Sequence, residues 1–202
     1  KDLDAGVLAV CESQQFILGP AVKSLEAAVA KLSGCSHGIG VSSGTDALLI
    51  ALMVLDIGPG DEVLTSPYTF FATAGTIARV GARPVFCDID PVTLTMDPAR
   101  LEAAITPRTR AIVPVHLHGQ CADLAPILAI AAARGIPVVE DAACAIGSEI
   151  RVGERWERIG KPHGTVAVFS FHPRKVITTG DGGFITTGRE DFAQRMRLLR
   201  QH

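Results

Sequence analysis

The sequence predicts an α/β domain of three layers (αβα), in which helices cover both faces of a mostly parallel sheet. Two observations lead to this prediction. Segments with helical periodicity alternate with short apolar segments of strand length, and Gly, Pro and Asp mark the short connections between them. Such alternation is the pattern of βαβ units. Acidic and hydroxyl residues follow several of the strands, at the carboxyl edge where open α/β sheets bind ligands.

Capping residues and periodicity define the elements of the first half. A helix with an apolar stripe starts at Gly19-Pro20 and ends at Ser33-Gly34, as a helix with Pro in its first turn and Gly after its last turn should. Another helix follows SGTD and is apolar almost all round, which predicts burial against the sheet. The predicted helices span 20–33, 47–55, 70–80 and 97–105, and the predicted strands span 38–42, 62–66 and 84–88.

The second half continues the alternation. Strands are predicted at 111–117, 137–140, 165–171 and 183–187, and helices at 124–133 and from 190 onward. The polar stretch 148–163 reads as a solvent-exposed hairpin that carries the only tryptophan. Since there is no internal repeat and no linker, we expect one continuous domain over 1–202, with the end of an N-terminal helical arm at 1–18.

Composition and charge exclude several classes of function. The chain has 202 residues, of which 48% are hydrophobic and 20% charged, as in a globular protein rather than a disordered one. The net charge is -2 and the charges of both signs are interspersed. No basic face predicts nucleic-acid binding, and no basic amphipathic helix predicts binding to a membrane surface. The expected partner is a small molecule or another protein.

Apolar runs and cysteine spacing indicate the compartment. The longest apolar run, 47–55, is too short to span a bilayer, and the N-terminus has no signal-peptide pattern. Five cysteines are spread without a C-x-x-C pair, which argues against a zinc site and a disulfide scaffold. We expect a cytoplasmic location. Both ends look cut, because the chain begins with Lys1 and stops directly after a helix; the sequence is expected to be part of a longer polypeptide.

Three segments could carry chemistry, and the first is VSSGTDALLIAL (41–52). A strand leads through Ser-Gly-Thr into a buried helix, so unpaired amide groups at the positive end of the helix dipole face an open position. A phosphate suits that position. An ordinary Ser N-cap, with Asp46 in the first turn, explains the same residues. The segment matches neither the G-x-G-x-x-G nor the P-loop pattern.

The second segment, IPVVEDAACAIGS (136–148), delivers Glu140 and Asp141 to the tip of an apolar strand, followed by small residues. A carboxylate there could pair with a protonated ring nitrogen, bind a metal or cap a turn. The metal hypothesis is weak, because no second carboxylate cluster or His pair lies nearby at ligand spacing.

The third segment is SFHPRKVITTGDGG (170–183), in which Lys175 stands between an apolar strand and a glycine-rich turn. It fits a surface loop, and it also fits a desolvated lysine whose neutral amine attacks a carbonyl to form a Schiff base. A phosphate site, a strand-end aspartate and a buried lysine together match the three chemical groups of pyridoxal phosphate.

These motifs, with TSPYTFFATAGTI, GARPVFCDID and IVPVHLHGQCADL, occur in an order that resembles the DegT/DnrJ/EryC1/StrS family over about 15–202. Its members are fold type I aminotransferases that depend on pyridoxal phosphate and mostly act on keto sugars linked to nucleotides. The resemblance implies an amino-acid donor, glutamate or glutamine, and a homodimer. It also implies a C-terminal small domain that is absent from this chain, since members run to nearly twice this length. A regulatory, non-catalytic member of the same fold is the alternative.

The resemblance also implies residue roles. Lys175 would form the Schiff base and move protons at the substrate carbon, and Asp141 would keep the pyridine nitrogen protonated. Gly44, Thr45 and Ser170 would bind the cofactor phosphate. Phe70 would stack on the ring, with a core role for it or Phe71 left open, and Cys144 stands where many members have Gln or His. Lys175 also argues against members that use histidine and dehydrate.

One further departure from the family pattern concerns histidines. The family segment HLYG is replaced by HLHG at 116–119 of this sequence. His116 and His118 are predicted to lie on one face of a strand. A His-x-His pair could bind a metal, but a structural role is the more common one for such a pair. We expect no metal site here.

Overall fold

The computed structural model describes residues 2–201, so Lys1 and His202, the two ends of the predicted domain, lie outside the described residues. The helices are α1 (Asp2–Ser13), α2 (Pro20–Ser33), α3 (Gly44–Val54), α4 (Phe71–Arg79), α5 (Pro98–Ala104), α6 (Leu124–Arg134) and α7 (Glu190–Leu199). The strands are β1 (His37–Val41), β2 (Glu62–Thr65), β3 (Arg83–Phe86), β4 (Thr109–Val113), β5 (Val139–Asp141), β6 (Glu149–Val152), β7 (Arg155–Arg158), β8 (Val166–Ser170) and β9 (Gly183–Thr187).

The main sheet is mixed but mostly parallel. One part has the order β1-β9-β8-β5 and the other β3-β2-β4. Two single parallel bridges, Ile112 to Val138 and Val115 to Asp141, join β4 to the β5 side. Strand β9 runs antiparallel to both of its neighbours, whereas the β5–β8, β2–β3 and β2–β4 pairs are parallel. The predicted α/β fold is therefore confirmed, with one returning strand inserted in the sheet.

Helices cover both faces of this sheet. Helices α3, α4 and α7 pack on one face through a cluster that includes Leu52, Ile77 and Met196. Helices α5 and α6 cover the other face together with α2, which packs near Phe184. Strand β1 has small residues toward α2: a Cβ on Gly38 would lie 2.6 Å from the Phe184 ring and 2.8 Å from the Glu26 carbonyl oxygen. Glycine there allows the close helix-sheet packing.

Helix α3 is the central buried helix. Six of its eleven residues are buried, namely Ala47, Leu48, Ile50, Ala51, Leu52 and Val54. Fully burying one such aliphatic side chain contributes roughly 1.5–3 kcal/mol for Leu, Ile or Val. The prediction that an all-round apolar helix is buried against the sheet is confirmed, and this burial fixes the position of the N-terminus of α3.

Two strands are shorter than the sequence predicts, and proline explains both. The predicted strand 111–117 ends at Val113, and the predicted strand 137–140 starts at Val139. Pro114 and Pro137 have no N–H to donate to a strand ladder. After Val115 the chain enters a 3-10 turn, Leu117–Gly119, in which His118 has a positive φ of 55°. The placement of His116 and His118 on one strand face is therefore wrong.

The hairpin at the periphery is solvent-exposed, as predicted. Strands β6 and β7 form an antiparallel hairpin, and its Trp156 is exposed. Helix α1 covers most of the predicted arm at 1–18 and has no buried residue. Between residues 2 and 201, no helix is long and apolar enough to cross a membrane.

Candidate active site

A cavity of about 410 Å³ lies at the carboxyl ends of β1, β5 and β8. The N-termini of α3 and α4 and the loop between β8 and β9 form its walls. All the site residues that the sequence singled out line this one cavity, namely Gly44, Thr45, Phe70, Asp141, Cys144, Ser170 and Lys175. Gly44 and Lys175 are 131 positions apart in the chain. They line the same cavity because parallel strands end at the same edge of the sheet.

The N-terminus of α3 presents free amide groups to the cavity. Ser43 is the N-cap, and its Oγ accepts a hydrogen bond of 3.0 Å from the Asp46 amide. Ser42 and Ser43 both donate to Asp46 Oδ2, at 2.6 and 2.9 Å. The amides of Gly44 and Thr45 come first in the helix, where no intrahelical acceptor exists. They are suited to bind an anion such as a phosphate.

Gly44 lies against the end of β8. A Cβ at Gly44 would be 2.6 Å from Ser170 Cβ and 3.0 Å from Ser170 Oγ. On the other side, a Cβ at Gly183 would be 2.1 Å from the Ser43 carbonyl oxygen. Glycines at both positions bring the Ser170 hydroxyl and the amides of α3 to the same part of the cavity.

We therefore predict that Gly44→Ala destabilises the protein by about 1–3 kcal/mol, because the added methyl group overpacks the contact with Ser170. It should also weaken binding of an anion at the α3 N-terminus. Chemical denaturation and a phosphate-binding titration measure the two effects. Gly188→Ala is the matched control, since a Cβ there meets nothing within 4 Å; equal stability of the two variants would contradict the packing argument.

Asp141 is buried at the tip of β5. Its Oδ2 accepts a 2.8 Å hydrogen bond from Thr73 Oγ1, and its Oδ1 accepts one of 3.2 Å from the Ala143 amide. Burial raises the pKa of Asp141, although these two hydrogen bonds and the charge of Lys175 act in the opposite direction. A buried carboxylate of this kind is stabilised by a cation, and a protonated ring nitrogen bound in the cavity would provide one.

Lys175 lies in the loop that connects β8 to β9. Its backbone N–H donates to the His172 carbonyl oxygen at 2.9 Å, and its Nζ donates to Cys144 Sγ at 3.0 Å. The loop is tied together by bonds from Phe171 N to the Gly182 carbonyl and from Thr178 Oγ1 to the Phe171 carbonyl. The Lys175 side chain is half-buried and lines the cavity, whereas its neighbours in the loop, 172–174 and 176–181, are exposed.

The two adjacent phenylalanines at the start of α4 are both on the surface. Phe70 is 72% exposed and lines the cavity, whereas Phe71 is 80% exposed and lies outside its lining. A core role, which the sequence left open for both, is therefore excluded. An exposed ring at the edge of a ligand cavity is available to stack on a planar ligand.

The structure adds Thr73, whose role sequence reasoning missed. It lies four residues after Thr69, which precedes α4, and the two hydroxyl oxygens are 2.8 Å apart. Thr73 lies on helix α4 and donates a hydrogen bond to Asp141 Oδ2, so it holds the carboxylate from the helical layer that covers the sheet. Thr73 and Thr76 lie three residues apart in α4, and only the packing of this helix against the sheet shows that Thr73 reaches Asp141.

A buried network supports the strand that carries Asp141. The Ala122 amide donates to His116 Nδ1 at 3.0 Å, so the ring proton is on Nε2, which lies 3.3 Å from Glu140 Oε2 and donates to it. Burial would raise the pKa of Glu140, but the hydrogen bonds from His116 and the Gly164 amide and the nearby His163 ring outweigh it and lower the pKa to about 2. Glu140 and His116 are thus structural groups that fix the position of neighbouring Asp141.

His163 extends this network toward the β6–β7 hairpin. Its Nδ1 lies 3.7 Å from Glu140 Oε2, and its Nε2 lies 3.2 Å from Glu157 Oε2. The Glu140 carboxylate is the largest cause of a raised pKa of His163; burial opposes it, and the charge of Glu157 adds to it. The His163 ring therefore connects the hairpin to the strand that carries Asp141.

From this raised pKa we predict a pH-dependent loss of stability. The contribution of His163 is fully present below its unfolded pKa, about 6.5, and disappears as the pH rises through the higher folded pKa. His163→Gln should be less stable than the parent in mildly acidic buffer and should approach it in alkaline buffer, measured by thermal unfolding. His37→Gln is the control, because its partner Glu190 is largely solvated. A stability difference that does not change with pH would contradict this assignment.

Within residues 2–201, no group of three or more His, Cys, Asp or Glu side chains could hold a metal ion. His116 is buried and engaged with Glu140 and the Ala122 amide, and His118 lies beside the Tyr68 ring at a centroid distance of 6.5 Å. The two histidines of HLHG therefore do not act as a pair.

The fold is that of solved aminotransferases. Similar structures include S. venezuelae DesV in complex with a ketimine intermediate, with a TM-score of 0.93 and 41% identity over 99% of this chain and 53% of that chain. Another is NtdA from Bacillus subtilis with bound cofactor PMP, with a TM-score of 0.88 and 34% identity over 96% of this chain and 43% of that chain.

The particular family follows from the sequence comparison. A model of the DegT/DnrJ/EryC1/StrS aminotransferase family matches residues 1–202, and the chain belongs to this family. A pleiotropic regulatory protein of Geobacillus stearothermophilus is 52% identical over 96% of this chain and 51% of its own length. A UDP-2-acetamido-2-deoxy-3-oxo-D-glucuronate aminotransferase of Pseudomonas aeruginosa is 48% identical over 99% and 55%. The chain thus spans about half the length of these relatives.

Proposed function

We propose that residues 1–202 form the large, cofactor-binding domain of a pyridoxal-phosphate-dependent aminotransferase. The enzyme would transfer an amino group from glutamate or glutamine to the keto group of a sugar linked to a nucleotide. One observation carries this proposal: an amine, a buried carboxylate and an anion-binding helix start surround a single cavity. A C-terminal small domain, outside this sequence, would complete the site.

The residues of the cavity fit the cofactor. Gly44, Thr45 and Ser170 would hold its phosphate, since the two glycine contacts described above bring free amides and a hydroxyl together. Asp141 would pair with the pyridine nitrogen, and Phe70 would stack on the ring. Cys144, next to Lys175, would take the place of the Gln or His that many family members have there. When bound, the cofactor would supply an aldehyde for a Schiff base with Lys175 and a ring that accepts electrons.

The protein side chains would perform three tasks in catalysis. The α3 amides and the Ser170 hydroxyl would orient the cofactor, and Asp141 would keep a proton on its ring nitrogen. The Lys175 amine, once free, would remove and return a proton at the substrate carbon that carries the nitrogen. Thr73 would hold the Asp141 carboxylate through its 2.8 Å hydrogen bond.

The substrate class rests on the relatives. Besides the P. aeruginosa protein, a GDP-perosamine synthase of Caulobacter vibrioides is 46% identical over 91% of this chain and 48% of its own length. Both names describe chemistry on nucleotide sugars. A keto sugar nucleotide is therefore the acceptor we propose for this protein, in the cytoplasm.

A homodimer is part of the proposal. Five large apolar side chains are exposed beside the cavity and its lysine loop, namely Tyr68, Phe70, Phe71, Val176 and Ile177. Exposed apolar groups concentrated at one place mark interaction surfaces. A second copy that covers them would also form part of the mouth of the cavity. Sedimentation of the full-length protein tests this, and a monomer at micromolar concentration would contradict it.

The half-reaction with an amino donor tests the function. The full-length protein is loaded with pyridoxal phosphate and mixed with glutamate or glutamine, and the cofactor absorbance is followed. We expect conversion to the pyridoxamine form, and regeneration when a keto sugar nucleotide is added. A protein that binds the cofactor but is not converted by any amino donor would contradict the proposed activity.

A regulatory protein that keeps the fold without turnover is the second candidate. Two observations favour it: the name of the relative from G. stearothermophilus and Cys144 at a position where many family members have Gln or His. The same half-reaction separates the two candidates, because conversion to the pyridoxamine form requires catalysis. Observed conversion rules the regulatory candidate out as the complete function.

A further inference from the structure

The parallel strands β5 and β8 place Cys144 beside Lys175. Cys144 follows β5 and Lys175 follows β8, and these strands are parallel neighbours in which Asp141 is paired with Val168. The turn after β5 is closed by a 2.9 Å bond from Ala145 N to the Ala142 carbonyl oxygen. The lysine loop has its own closing bonds, described above. The sulfur and the amine are therefore held 3.0 Å apart by ordered backbone on both sides.

We propose that Cys144 is a peroxide-reactive thiol and that its oxidation joins its sulfur to Lys175 Nζ by a covalent S–N bond. Both side chains are half-buried and line the cavity, so a small peroxide can reach the sulfur from the same space in which the amine lies. While the S–N bond is present, the Lys175 amine cannot act as a nucleophile. Reduction of the bond by a thiol restores the amine.

The S–N cross-link forms in two steps. The Cys144 sulfur attacks one oxygen of hydrogen peroxide, the O–O bond breaks, and a sulfenic acid and water form. The Lys175 ammonium gives one proton to solvent, its amine attacks the sulfur, the S–O bond breaks, and the hydroxyl leaves with one amine proton as water. The sulfur is oxidised by two electrons and the peroxide is reduced by two. Two equivalents of a thiol reverse the change, giving back Cys144 and Lys175 and producing one disulfide.

The other thiols of the chain have different surroundings. Burial raises the pKa of Cys35 and Cys121, and it raises that of Cys87 to about 11, which keeps these sulfurs protonated and slow to oxidise. Cys87 and Cys121 each donate to a backbone carbonyl at 3.5 Å. Among the residues that the structure describes, Cys144 is the one cysteine whose sulfur has a hydrogen bond from an amine. Cys11 is exposed on α1 and serves as a reference for ordinary thiol reactivity.

Cofactor binding is expected to compete with the cross-link, an expectation that rests on the proposed function. A lysine whose nitrogen is bound to the cofactor aldehyde has no amine free to attack the sulfenic acid. Cofactor-loaded protein should therefore be protected from the cross-link. The cross-linked protein should in turn bind pyridoxal phosphate without forming a Schiff base, and treatment with a thiol should restore it.

Peptide mass spectrometry of the cofactor-free, full-length protein tests the cross-link. The protein is treated with hydrogen peroxide, its remaining thiols are blocked, and it is digested without reductant. We expect a linked pair of peptides that contain Cys144 and Lys175, with a mass lower by two hydrogen atoms than their sum. Dithiothreitol should separate the pair. Cys144→Ser should give no linked pair, and Lys175→Arg should give oxidised Cys144 without a link.

Two results would overturn the proposal. One is separate peptides with an unlinked Lys175, at a peroxide dose that oxidises Cys11 fully. The other is a linked pair heavier by one oxygen atom, which would mean that the sulfur and nitrogen are not directly bonded. Because the cross-link is scored by mass without cofactor, its outcome does not depend on aminotransferase activity. A cross-link that forms equally in cofactor-loaded protein would instead contradict the proposed role of Lys175.

Discussion

Lys175→Ala is expected to abolish the Schiff-base absorbance of the full-length protein with pyridoxal phosphate and to lower kcat/KM for the half-reaction by about 10,000-fold. The variant removes both the covalent attachment point and the group that moves the proton. The cofactor phosphate and ring contacts are left in place, so the cofactor should still bind, but more weakly. An absorbance titration and stopped-flow mixing with glutamate measure the two effects.

Two further variants make this result specific. Lys175→Arg keeps a positive charge in the cavity but cannot form a Schiff base under these conditions, because the guanidinium stays protonated. It should therefore resemble Lys175→Ala. Lys31→Ala removes an exposed lysine of α2 and should leave the absorbance unchanged. An absorbance band that survives Lys175→Ala unaltered would show that the cofactor reacts with another amine and would end the assignment.

Asp141→Asn should lower cofactor affinity by about 100-fold or more, because a buried ion pair loses one partner, at a cost of roughly 3–5 kcal/mol. The amide fits the same hydrogen bonds: its oxygen can accept from the Ala143 amide, and its nitrogen can donate to Thr73 Oγ1. Catalysis should fall further, since the ring nitrogen no longer stays protonated. Equilibrium binding and the half-reaction rate provide the measurements.

The same substitution should have the opposite effect on the cofactor-free protein. Burial raises the pKa of Asp141 above its ordinary value near 3.8, so the folded state is penalised as the pH rises through and above that value. Asn carries no charge and avoids this penalty. Cofactor-free Asp141→Asn should thus be at least as stable as the parent at neutral pH, and this advantage should vanish in acid.

A carboxylate at the rim of the cavity provides the control for Asp141. Asp181 also lines the cavity but is exposed, and its Oδ1 accepts a 2.8 Å bond from the Gly182 amide. Asp181→Asn should change cofactor affinity less than Asp141→Asn by an order of magnitude or more, since an exposed charge interacts weakly. Equal losses in the two variants would mean that net cavity charge, rather than a pyridinium partner, explains the effect.

Local signals in the sequence were strong enough to place most elements. Gly34 ends α2 with a left-handed φ of 67°, Asp97 caps α5 through the Ala99 amide, and apolar residues all round α3 predict its burial. These signals involve residues close together in the sequence, so they can be recognised without knowledge of the tertiary structure. The errors in β4 and β5 came from Pro114 and Pro137, whose missing N–H groups shorten the hydrogen-bonded ladder although the apolar pattern continues.

The sequence by itself determined the order of strands and helices and the residue types of the candidate site: an amine, a carboxylate and a capped helix start. Only the tertiary structure decided that these groups share one cavity, that Thr73 holds Asp141, and that Cys144 lies 3.0 Å from Lys175 Nζ. Strand order and the packing of α4 on the sheet create these contacts between residues 31 and 68 positions apart. Contacts over such distances depend on the register of whole elements, which no local pattern encodes.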